Sequence, residues 1–130
     1  MRKHGERGAA AVELALVLPV LILLLLGIME FGRAFNAQVT LTNAAREGVR
    51  VMAISKDTTK ARASAITAAS TFSPALTATD IAISVPGSTA ATPCPGGGTA
   101  TVTITYTLST LTKIAGPFSM TGKGVMLCGG

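Results

Sequence analysis

The sequence predicts an α+β protein: a long N-terminal helix, a short second helix and a small three-stranded antiparallel sheet. Three observations predict it. An apolar run from Ala9 to Met29 passes into residues at helical spacing as far as Met52. A second, shorter helical pattern begins at Thr58. The remainder alternates apolar and polar residues between Pro- and Gly-rich breaks, most clearly over Thr101–Leu108.

The chain has 130 residues, about one domain's worth, and carries 11 Lys and Arg against 6 Asp and Glu. With 48% hydrophobic and 13% charged residues it is too apolar for a disordered polyelectrolyte. The single histidine is His4, and the carboxylates are scattered as Glu6, Glu13, Glu30, Glu47, Asp57 and Asp80. A histidine-based catalytic triad and a multi-histidine metal site are therefore excluded within one chain. So little acid–base equipment argues against an enzyme, and nothing in the sequence calls for a cofactor, a metal or a small-molecule substrate.

The first element reads AAAVELALVLPVLILLLLGIM, interrupted by Glu13, Pro19 and Gly27. As a helix this run is roughly 30 Å long, enough to cross the hydrocarbon layer of a bilayer. Ahead of it lies MRKHGERG, with Arg2, Lys3 and Arg7 against Glu6. The positive-inside rule then puts the N-terminus in the cytoplasm and the rest of the chain outside it. A secretory signal peptide cut near Gly32 or Ala34 and a plain single-pass anchor are the simpler readings. The helical pattern, however, runs on without turn punctuation between Glu30 and Val51.

A third reading explains more residues. Gly8 precedes Ala9-Ala10-Ala11-Val12-Glu13 and then the apolar run. This resembles the prepilin-peptidase pattern of type IV pilins and pseudopilins, with cleavage between Gly8 and Ala9. A peptidase at the membrane face needs a small, extended residue before the scissile bond, and glycine permits that close backbone approach. The resemblance implies that Glu13 pairs with the new Ala9 amine of a neighbouring subunit. A carboxylate that only reaches the lipid headgroups is the simpler account of Glu13.

Beyond Met29, Phe31, Ala34, Phe35, Gln38, Leu41, Ala45, Val49 and Met52 form one helical face. Together with the apolar run this predicts one rod to about residue 55 that would bend at Pro19 and suits lateral packing with copies or homologues. Arg7-Gly8-Ala9-Ala10-Ala11-Val12-Glu13, Glu30-Phe31-Gly32-Arg33 and Asn43-Ala44-Ala45-Arg46-Glu47-Gly48-Val49-Arg50 together resemble the TadE family. The resemblance covers about the first 55 residues. It implies a pilin-like plan and a pseudopilin or minor pilin of the tight-adherence (Flp-type) pilus. The implied partners are the prepilin peptidase, other pilins and pseudopilins, the pilus assembly machinery and the membrane. Candidate stem-packing residues are Phe31, Phe35, Leu41, Ala45, Arg46, Glu47, Val49 and Arg50. The expected organisation is a leader (1–8), a membrane part of the stem (9–29), its amphipathic continuation (30–55) and an extracytoplasmic head (56–130).

In the head, Asp57 caps a helix expected over Thr58–Phe72, with Ala61, Ala65, Ile66 and Ala69 on one face, Lys60 and Arg62 pointing elsewhere, and Ser73-Pro74 ending it. Ile81, Ile83 and Val85 mark a first strand, and Val102, Ile104, Tyr106 and Leu108 a second. SMTGKGVMLC is a third, weakened by Gly122 and Gly124. Cys94 and Cys128 read as one disulfide in an oxidising compartment, with two free buried thiols as the alternative. Gly96-Gly97-Gly98 leads into a strand and is a flexible turn, not a phosphate cradle.

Two other function classes fit the same composition. A membrane-anchored or secreted adhesin would need exposed apolar or aromatic residues on the head, for which only Phe72, Tyr106 and Phe118 are at hand. A DNA-uptake pilin would use the basic balance, but three of the eleven cations lie in the leader, and one tyrosine gives little for stacking. The sequence therefore argues against nucleic acid as a partner.

Overall fold

A computed structural model describes residues 3–129, with side chains from Gly5 onward. Met1 and Arg2 of the expected leader and Gly130 of the expected head lie outside the described residues. The element order is helix α1 (Lys3–Ser55), helix α2 (Thr58–Ala68), a 3-10 turn (Ala78–Asp80), and strands β1 (Ile81–Ser84), β2 (Thr99–Leu108) and β3 (Phe118–Leu127). The chain divides into two compact units, Met1–Arg33 and Ala34–Gly130.

The first unit is helical throughout its described residues, and Pro19 lies inside α1 without interrupting it. From Val12 to Met29 its large apolar side chains are exposed, as Leu16 and Ile28 illustrate, with Leu26 half-buried. By length and composition, this is a helix that could cross a membrane.

The second unit takes in the C-terminal part of α1, so residues 34–55 are part of the head's own core. Ala37, Leu41, Ala44, Ala45, Val49 and Met52 are buried, and together with Ala61, Ala65 and Ala69 they meet the inner face of the sheet. Lys56, in the left-handed conformation at φ 55°, ends α1 by donating its amide to the Met52 carbonyl at 3.0 Å. The next residue, Asp57, caps α2 by accepting from the Thr59 and Lys60 amides at 2.8 and 3.2 Å. The sharp reversal between the helices thus needs only two residues.

α2 is shorter than the alternation of its alanines suggests. It stops at Ala68, and bonds from Ser70 to Thr67 and from Phe72 to Ala69 tighten the chain into turns. Phe72 is thereby free to stack on Tyr106, with ring centroids 4.4 Å apart. Arg62 does not point away: its Nε donates to the Ile81 carbonyl at 3.3 Å and ties α2 to the start of the sheet.

The sheet is antiparallel in the order β1-β2-β3. Ile81 pairs with Ile104, and Leu108 with Phe118. Val85 follows β1 rather than belonging to it, and β2 starts at Thr99. Along β2, Ala100, Val102, Ile104, Tyr106 and Leu108 face the core, while the intervening threonines form the outer face.

Gly122 and Gly124 do the opposite of weakening β3. Both are buried on its inner face. A Cβ at Gly122 would lie 2.5 Å from the Leu41 carbonyl carbon and oxygen, and one at Gly124 would lie 2.6 Å from the Ala45 carbonyl oxygen. The strand backbone therefore rests directly on the helix backbone, a separation that only glycine permits. Gly48 does the same for the two helices, with its missing Cβ 3.1 Å from that of Ala65.

At the 3-10 turn, the Asp80 carboxylate accepts from the Thr77 amide at 2.8 Å and the Thr77 hydroxyl at 2.7 Å. The amide first and then the hydroxyl hold its pKa below the ordinary value of 3.8. A depressed carboxylate contributes stability that is complete above 3.8 and is lost as pH falls through the folded value. Asp80→Asn should therefore differ from the parent most at neutral pH. The gap should close below pH 3.8 when denaturation midpoints are followed against pH.

Candidate processing segment and assembly surface

Gly8 and Ala9 both lie within α1 and are exposed, and among the described residues nothing beyond the helix's own backbone and the chain neighbours lies within 4 Å of where a Gly8 Cβ would stand. The peptide that a processing enzyme would need extended is thus helical here. Gly5 and Gly8, each costing about 1 kcal/mol relative to alanine in a helix, make this the end of α1 that opens most readily. Glu13 is exposed one turn further on. Among the described residues it has no ion-pair or hydrogen-bond partner within its own chain.

The expected stem-packing residues separate into two groups. Leu41, Ala45 and Val49 are at most 1% exposed and are taken up inside the second unit, so they offer no surface to a neighbour. Phe31, in the first unit, is 76% exposed, and Phe35, in the second, is 66% exposed. Their large apolar areas remain available.

The Asn43–Arg50 run divides in the same way. Ala44, Ala45, Gly48 and Val49 face inward, where small side chains let α1 approach both α2 and β3. Arg46 and Arg50 are exposed and Glu47 is half-exposed. The Arg50 Nη1 to Glu47 Oε2 distance is 3.9 Å between two well-solvated side chains, which is worth under about 1 kcal/mol. These charges contribute a solvated helix face rather than stability.

At the other end of the sheet, Cys94 and Cys128 form a disulfide with their Cα atoms 5.6 Å apart. Around it, the Cys128 amide donates to the Gly98 carbonyl at 2.8 Å, and the Gly129 amide donates to the Ala53 carbonyl at 3.3 Å. The last residues therefore close the final turn of α1 as well as the glycine loop. Sequence reasoning found the cysteine pair but not this second attachment, for which no side-chain signal exists. No cluster of three or more His, Cys, Asp or Glu that could hold a metal occurs among the described residues.

The motif residues at the start of α1 and the Asn43–Arg50 run fall within a single family match. Residues 8–50 are TadE-like. The match begins at Gly8, includes Glu13, Phe31, Phe35 and the divided Asn43–Arg50 run, and ends before α1 does. No significant match to a curated protein or to a solved structure accompanies it. The matched segment therefore contains the apolar run and the core residues of α1 from Ala37 to Val49, while Met52, α2 and the three strands lie beyond it.

Proposed function

We propose that this chain is a non-enzymatic pseudopilin, or minor pilin, that supports assembly of a tight-adherence type IV pilus. The carrying observation is the TadE-like match over residues 8–50, which starts at the residue preceding the expected cut. In this reading the N-terminus lies in the cytoplasm and the head outside it, with the apolar part of α1 in the cytoplasmic membrane. A prepilin peptidase cuts between Gly8 and Ala9. The Glu13 carboxylate, which has no partner among the described residues, then meets the Ala9 amine of a neighbouring pilin. Phe31 and Phe35, with the outward charges of Arg46, Glu47 and Arg50, supply the surface that other pilins and the assembly machinery engage.

Of the three aromatics the adhesin reading would use, Tyr106 is 6% exposed and Phe72 is stacked on it, which leaves Phe118. The test is intact-mass and N-terminal analysis of the full chain expressed with and without a prepilin peptidase. A peptidase-dependent N-terminus at Ala9, abolished by Gly8→Leu, is the expected outcome. Cleavage near Ala34, or an uncut chain despite active peptidase, would sink the pilin reading.

A further inference from the structure

The β2–β3 connection, residues 109–117, exposes apolar side chains where a solvated loop would carry polar ones. Ile114 is 79% exposed and Leu111 54%, and Phe118 at the start of β3 is 41% exposed. Between them Lys113, itself exposed, holds a left-handed turn at φ 55°, and Gly116 a second at φ 67°. No Asp or Glu occurs between Ile81 and Gly130. Single exposed apolar residues are ordinary on a protein surface, but three flanking one cation at a hairpin tip form a patch.

The register shows which end of the second unit this tip occupies. Gly122 lies against Leu41 and Gly124 against Ala45, while the Gln38 side chain donates to the Thr121 carbonyl at 2.8 Å. Two strand residues thus match four helix residues, so β3 runs parallel to this part of α1 at nearly equal rise. Going back from Gly122 to Phe118 covers about 13 Å, which corresponds to about nine helical residues. The hairpin tip is therefore at the Ala34 end of the unit, opposite the disulfide. Ala34 in turn is about 8 Å of helix from Met29, where the apolar run ends.

We propose that residues 109–117 form a second membrane contact, in which Leu111 and Ile114 insert into the lipid interface and Lys113 meets anionic headgroups. An amphipathic tip of this kind gains from burying apolar area and from the negative surface potential. The contact would hold the head close against the bilayer before the subunit leaves it. It rests on the reading of α1 as membrane-spanning, and the experiment separates the two.

The chain contains no tryptophan, so single substitutions give unique fluorophores. Ile114→Trp, Leu23→Trp and Ala90→Trp are each placed in the full chain, reconstituted in nanodiscs containing phosphatidylglycerol, and titrated with brominated lipids. Ala90 belongs to the exposed loop at the disulfide end. I114W should show blue-shifted emission and be quenched several-fold more than A90W, by shallow rather than deep bromines. Adding Lys113→Glu should reduce that quenching. If L23W is quenched by deep bromines and I114W matches A90W, the loop contact is overturned while the spanning reading stands. If L23W is not quenched, the spanning reading itself fails and takes the contact with it. Blue-shifted I114W without lipid quenching would assign the tip to a protein partner, and equal quenching in purely zwitterionic discs would overturn the anionic preference.

Discussion

Gly122→Ala is expected to destabilise the folded head by about 1–3 kcal/mol or more, the usual range for overpacking a tight core. The sign is what makes the substitution informative. In a strand held only by its neighbours, alanine should improve on glycine by about 0.5–1 kcal/mol, because it loses less backbone freedom on folding. At Gly122 the added Cβ would meet the Leu41 carbonyl group at 2.5 Å, and backbone cannot swing aside as a long side chain can. Relief requires β3 to lift from α1, which would loosen the Gln38–Thr121 hydrogen bond and the packing of Val102 and Ile104 beneath the neighbouring strand. Gly32→Ala, with nothing within 4 Å of its Cβ, should instead favour the helix. Denaturant midpoints of the two variants against the parent decide the matter, and a stabilised Gly122→Ala would refute the direct contact between strand and helix backbones.

Removing the disulfide should have an effect of similar or larger size. Cys94 and Cys128 are 34 residues apart, and loop-closure entropy for that span gives about 3–4 kcal/mol. A head with an alanine-rich core has little reserve, since each alanine contributes little apolar area. The double variant Cys94→Ser/Cys128→Ser, or reduction of the parent, should lower the denaturation midpoint of the head and free the segment after β3. Hydrogen exchange should then rise first at the Cys128 and Gly129 amides, which are held by Gly98 and Ala53. An unchanged midpoint on reduction would mean that the loop is restrained without the bond.

The fold was legible in the sequence wherever periodicity was strong. The Thr and apolar alternation along β2 put each residue on the correct face, and Asp57 marked the start of α2. The end of α2 was not legible, because Ala68, Ala69 and Ser70 are as compatible with helix as with a turn. What decides it is the distant Tyr106 ring on which Phe72 stacks. The glycines of β3 misled for a related reason. A glycine reads locally as a flexible position, and its use here depends on an alanine-rich helix more than 70 residues away in sequence. The candidate site was legible as residue types around Gly8 and Glu13. Its division into inward and outward residues was not, since Leu41, Ala45 and Val49 share a helical face with the exposed Phe35.

The placement of residues 34–55 inside the second unit sets where this protein can be cut. A fragment beginning after Ser55 would look complete by strand and helix content, yet it would lack Leu41, Ala45, Val49 and Met52. Their absence would leave Ala61, Ala65, Val102 and Ile104 facing solvent, and β3 would have nothing beneath its glycines. The shortest fragment expected to fold on its own therefore starts at about Ala34, and a protease that severs α1 between Leu41 and Met52 would unfold this unit rather than release it.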